Sequence, residues 1–141
     1  MNIYESAEDY LLAIYLLSME KGYVRSIDIA NYLGYSKPSV SIAMKQLEEN
    51  GYIYRDADRL LHLKDKGMAI ATRIYERHET IVAVLISLGV SDENAERDAH
   101  KLEHDLSDES FDCIRAYIAD NGTPNPLQED VRQKLRVKHV K

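Results

Sequence analysis

The sequence predicts a mainly α protein. A winged helix-turn-helix should come first, and an all-helical domain second. Three observations carry that reading. Two amphipathic segments are separated by Gly34-Tyr35-Ser36, the short glycine-containing turn of a helix-turn-helix. Two β-prone runs joined by a polar stretch follow at once, as a wing would. After them the hydrophobic period stays helical, with Ser and Gly punctuation and no further strand signal.

Residues 5–20 form the first predicted helix, with Leu11, Ile14, Tyr15, Leu16 and Leu17 at helical spacing. Ser6 is its expected N-cap, with Asp9 three residues on, and Gly22 its stop. A short helix over 26–33 has Ser26 as expected cap and Ile27, Ile29, Ala30 and Leu33 as its apolar face. The next helix, 37–50, has Ser36 as cap and Pro38 in its first turn, where a missing N–H costs nothing. Residues 52–55 and 60–63 read as a hairpin linked by Asp56-Ala57-Asp58-Arg59. A long helix runs from about Lys64 to Leu88, and helices follow over 92–105 and 108–120 with Ser91 and Ser107 as caps. Asn121 to Pro126 breaks the pattern. A short helix over 127–136 and a basic tail close the chain. The two domains are expected over 1–74 and 75–141.

Composition narrows the function classes. The 141 residues are 45% hydrophobic and 30% charged, the balance of a soluble globular protein. No apolar run reaches the roughly 18 residues of a membrane span. The N-terminus has neither a basic n-region nor a long apolar h-region. Cys113 stands alone and is expected to be a buried structural thiol. These features predict a cytoplasmic protein. The net charge of −6 argues against a nonspecific nucleic-acid binder. Its distribution is uneven: the first 74 residues are close to neutral, and the remainder carries most of the excess acid. An acidic domain beside a neutral one suits cation binding in one and a polyanionic partner in the other, although a solvated surface produces the same bias.

On the helix over 37–50, Val40, Ala43, Met44 and Leu47 make the inward stripe. Lys37, Pro38, Ser39, Ser41, Ile42 and Lys45 then face outward, beside the cap Ser36. Such a short, hydroxyl-rich, locally basic face suits the major groove, where Ser and Lys reach bases or phosphates and Ile meets a thymine methyl. Arg55 and Arg59 on the wing are the expected phosphate contacts. The plain alternative is a small helical bundle with an ordinary polar surface.

Downstream, His100, Glu103 and His104 are spaced i, i+3 and i+4, which puts them on one helix face. Imidazole and carboxylate are donors for a divalent first-row metal. Asp9 and His78, on other helices, are further candidates that only the tertiary fold can bring in. His100-Lys101-Leu102-Glu103-His104 also spells H-x-x-E-H, a zinc-hydrolase pattern. Few residues follow it to supply a distant third ligand and a cleft, and it gives the helix-turn-helix no role.

Together these residues resemble the diphtheria-toxin-repressor family of metal-dependent transcriptional regulators. The resemblance is to its short, manganese-transport-regulator branch, which lacks an SH3-like domain. It covers nearly the whole chain, through Ser6-Ala7-Glu8-Asp9-Tyr10-Leu11, Asp28-Ile29-Ala30, Ser36-Lys37-Pro38-Ser39-Val40, Arg77-His78-Glu79 and Leu102 to Glu109. The resemblance implies that Asp9, His78, Glu103 and His104 match ligand positions of manganese-type members. Two positions depart: Leu12 and His100 stand where such members carry Glu. One complete site is expected from Asp9, His100, Glu103 and His104, and a second, weaker one from His78 with Glu96. The expected cofactor is manganese or iron(II), with zinc or cobalt as further options.

The function this implies is a metal-activated repressor, not an enzyme. It would bind double-stranded operator DNA as a homodimer and control metal-uptake genes, with no membrane and no small organic substrate involved. The alternatives are a metal-independent winged-helix regulator and the zinc hydrolase.

Overall fold

The computed structural model describes residues 5–122. The helix expected over 127–136, the basic tail and most of the 121–126 break lie outside those residues. The chain divides into two compact units, Met1–Tyr75 and Glu76–Lys141. The element order is α1 (Glu5–Lys21), α2 (Ser26–Leu33), α3 (Lys37–Glu49), β1 (Ile53–Arg55), β2 (Leu61–Leu63), α4 (Asp65–Ser87), α5 (Asp92–Asp105) and α6 (Asp108–Asn121). The architecture is mainly helical with one small antiparallel hairpin, as expected.

In the first unit α1 packs against α2 and β2, and α3 packs against α2 and β1. The core is built from Leu11, Ile14 and Leu17 of α1, Ile29 and Ala30 of α2, and Val40, Met44 and Leu47 of α3, closed by Ile53 and Leu61 of the hairpin. Gly34 joins α2 to α3 in the left-handed region at φ 72, and its N–H caps the carbonyl of Ala30. Ser36 is the N-cap of α3, its hydroxyl accepting from Ser39 N at 3.3 Å, with Pro38 in the first turn. In the hairpin Ile53 faces Leu63, Tyr54 faces His62 and Arg55 faces Leu61. Leu61 N also donates to Val24 O at 2.7 Å, which ties the wing to the segment before α2. Gly67 in α4 is fixed by close approach: a Cβ there would overlap the Tyr52 carbonyl.

Two cap expectations are corrected. Ser6 lies inside α1 and does not precede it. Arg25, not Ser26, holds the cap position of α2. The Asp28 carboxylate accepts from Arg25 N at 2.9 Å, so the acid three residues on, rather than a cap hydroxyl, satisfies the helix start.

The described residues of the second unit form the rest of α4 with α5 and α6. Ser91 and Ser107 cap the two shorter helices, accepting from Asn94 N at 3.3 Å and Ser110 N at 3.1 Å. Arg77 on α4 is buried and organises the α5–α6 junction. Its guanidinium donates to the carbonyls of Glu103 (3.4 Å) and Leu106 (2.8 Å) and pairs with Asp108. It also lies over the buried Phe111 ring, with Arg115 on the same ring. Cys113 is exposed, against expectation, because α6 buries Phe111 and turns the position two residues later outward. With Val84, Ile114, Tyr117 and Ile118 it lines an apolar groove. Among the described residues no helix is long and apolar enough to cross a membrane.

Candidate metal centre and DNA-reading face

The α5 helix buries Ala95 and Ala99 on one side and carries Glu103 on the same stripe, one turn further on. Glu103 is fully buried, which is rare for a carboxylate unless it is paired. Its Oε2 accepts from His78 Nδ1 of α4 at 2.7 Å. The opposite ring nitrogen, Nε2, donates to Glu96 Oε2 of α5 at 2.6 Å. The hydrogen bond to Glu103, reinforced by Glu96, raises the His78 pKa from 6.5 to about 9 against the opposing effect of burial. His78 is therefore an imidazolium at neutral pH, held between two carboxylates.

The second oxygen of Glu103 is a different case. Oε1 is buried and accepts no hydrogen bond among the described residues. His100 Nδ1 lies 3.3 Å from it and His104 Nε2 3.4 Å. His100, Glu103 and His104 each offer a donor atom within 4.8 Å of the others. The two imidazoles meet edge to face with ring centres 5.5 Å apart. His104 is 2% exposed at its side chain and His100 52%, so the cluster has one dry side and one open side. A buried carboxylate oxygen with no hydrogen bond, between two ring nitrogens, leaves a costly polar atom unless a cation shares it. The donor set therefore fits a divalent first-row metal.

The structure thus brings His78, Glu96, His100, Glu103 and His104 together within the second unit. Asp9 lies on α1, in the first unit. Sequence reasoning missed Arg77 as an organiser of this site. It read Arg77 only as part of a matching stretch, because two backbone carbonyls as partners leave no trace in the sequence.

On α3 the predicted inward stripe is buried at Val40, Met44 and Leu47. Ser36, Lys37, Pro38, Ser39, Ser41, Ile42 and Lys45 are all exposed, Ile42 at 61%. The two wing arginines differ. Arg55 is paired with Glu48 of α3 at 3.3 Å. Arg59 is exposed at the turn with φ 64, among the described residues the only non-glycine with a positive φ.

The N-terminal DNA-binding domain of the iron-dependent repressors matches residues 2–60, and their metal-binding and dimerisation domain matches residues 64–125. The chain belongs to the iron-dependent repressor family. Its relatives in that family include the HTH-type transcriptional regulator MntR of Geobacillus kaustophilus, 40% identical over 96% of this chain and 92% of the relative. The transcriptional regulator MntR of Salmonella typhimurium is 37% identical over 84% of this chain and 76% of the relative. Among solved structures, metal-dependent transcriptional regulator MtsR superposes with a TM-score of 0.74 at 31% identity, over 80% of this chain and 53% of that one. A manganese-dependent transcriptional repressor in complex with manganese gives 0.71 at 27%, over 80% and 52%. The chain spans about half the length of these solved family members.

Proposed function

We propose that this protein is a metal-activated transcriptional repressor that binds operator DNA as a homodimer and controls metal-uptake genes. The observation that carries the reading is Glu103, a buried carboxylate whose Oε1 lies between two imidazoles, in a chain whose other unit exposes a hydroxyl-rich, basic α3 face. His100, Glu103 and His104 would hold the ion, with Asp9 as the fourth donor. Support for Asp9 is its match to a ligand position of manganese-type members and its place in the first turns of α1. On losing a ring proton, His78 would form the second, weaker pair with Glu96. When bound, a divalent cation supplies positive charge and directional ligation that offset the buried carboxylate. Two imidazoles in the set suit iron(II), zinc and cobalt as well as manganese; manganese or iron(II) is the assignment here.

Loading of this centre would couple metal to DNA binding. In a dimer that coupling sets the spacing of two α3 helices, which must match about one turn of DNA, roughly 34 Å, or a multiple. Ser36, Lys37, Pro38, Ser39, Ser41, Ile42 and Lys45 read the groove, and the wing arginines meet phosphate. Operator binding places the protein in the cytoplasm, and no catalytic role is assigned to His100, Glu103 or His104.

The test is anaerobic binding to DNA upstream of its own gene and of neighbouring metal-transport genes, with chelator, manganese, iron(II) or zinc. Tight, salt-sensitive binding only with metal is expected. Glu103→Ala and His104→Ala should abolish the metal dependence and keep the helical fold. Equal binding with chelator and with every metal would leave a metal-independent winged-helix regulator.

A further inference from the structure

The wing tip has a built anchorage. Asp56 and Arg59 bracket the hairpin turn: Asp56 N donates to Leu60 O at 3.1 Å and Arg59 N to Asp56 O at 3.0 Å. This is a tight turn followed by a left-handed residue, a position where glycine is the usual choice. Here it is Arg59, at φ 64. A non-glycine side chain in that region is uncommon and carries a cost that the surroundings must offset. Asp56 does so with both oxygens. Oδ1 accepts from Asp58 N (2.8 Å) and Leu60 N (3.0 Å) across the turn. Oδ2 accepts from His62 Nε2 at 2.7 Å. His62 in turn stacks on Tyr54, its cross-strand partner, with ring centres 4.8 Å apart and 20° between planes. The carboxylate is held below its usual pKa range, first by the His62 bond. The result of these contacts is a single exposed guanidinium at the wing tip. Among the described residues Arg59 has no acidic partner, whereas Arg55 is held by Glu48.

We propose that Asp56, His62 and Tyr54 form a latch that holds Arg59 in its left-handed conformation as the principal phosphate contact of the wing. Asp56 and His62 are thus positioning residues for DNA binding, acting through Arg59. The inference rests on the DNA-binding reading given above and deepens it. Arg55 is secondary, because Glu48 at 3.3 Å from its Nε already offsets part of its charge.

The experiment is duplex-DNA titration of the full chain across a range of salt, under both chelated and manganese-loaded conditions. Arg59→Gly keeps the backbone conformation and removes the guanidinium. Its affinity should fall about fivefold per protomer, the upper end for one exposed ion pair. The slope of log affinity against log salt should also flatten by about one per protomer, about two for the dimer. His62→Phe keeps the stack and removes the donor. It should reproduce both changes while leaving manganese affinity and the thermal midpoint close to the parent. His62→Gln, which restores a donor, should recover most of the loss. The double variant His62→Phe with Arg59→Gly should be no weaker than Arg59→Gly alone. A parental affinity and salt slope in His62→Phe, or additive losses in the double variant, would overturn the latch. Metal-independent binding by the parent would overturn the metal-activation reading and leave the comparison among variants intact. A parent that binds no duplex under either condition overturns both.

Discussion

His78 shows how much of this protein is decided by single side chains. It is held between Glu96 and Glu103, and its pKa is raised from 6.5 to about 9, chiefly by the bond to Glu103. A raised histidine pKa stabilises the folded state fully below 6.5, and the contribution disappears as pH climbs through about 9. Chelated protein should therefore lose thermal stability between those values, and His78→Gln should flatten that part of the profile. An unchanged profile in His78→Gln would remove His78 as the cause. Arg77 makes a second residue-scale case. Its guanidinium satisfies the Glu103 and Leu106 carbonyls and lies over Phe111. Arg77→Met should cost about 2 kcal/mol in denaturant unfolding through lost charged hydrogen bonds. It should also weaken metal binding, because the end of α5 that carries Glu103 and His104 loses its anchor. Calorimetric titration with manganese showing parental affinity in Arg77→Met would contradict this.

At the scale of elements, the hairpin and α4 are locked together through Gly67. A Cβ there would overlap the Tyr52 carbonyl, and Lys64 N already donates to Tyr52 O at 2.9 Å. Gly67→Ala should destabilise the first unit by about 1–3 kcal/mol, as overpacking does. A midpoint shift in urea unfolding checks it, and no shift would show that α4 yields freely. The elements were largely readable in the sequence, because helical period, Ser36, Ser91 and Ser107 as caps, and the Gly34 turn are local signals. The caps of α1 and α2 were misread, since a serine near a helix start is not always the residue before it. His100, Glu103 and His104 were legible as one face because i, i+3 and i+4 spacing guarantees it. The burial of Glu103 and the place of His78 were not, because both depend on how α4 packs against α5. The His62 latch was missed for the same reason: Asp56 read as turn polarity until the strand register set His62 beside it. Helical period alone would put Cys113 inside, but α6 has one buried anchor, Phe111, and leaves its neighbours outside.

For the whole molecule, two ligands, a divalent metal and a DNA duplex, should be coupled through one chain. Coupling is reciprocal: whatever factor metal adds to DNA affinity, DNA must add to metal affinity. Variants of the α3 face divide the two halves of that cycle. Lys37→Ala and Lys45→Ala should weaken DNA binding, with a flatter salt dependence, and leave metal affinity in the absence of DNA at the parental value. A change in metal affinity in those variants would mean that the α3 face does more than read DNA. The most direct measurement is the manganese affinity of the full chain, taken anaerobically with and without saturating operator duplex. The duplex should tighten manganese binding by the same factor by which manganese tightens duplex binding, about fivefold or more. A manganese affinity unmoved by DNA would contradict it, leaving metal and DNA as independent ligands of the same chain.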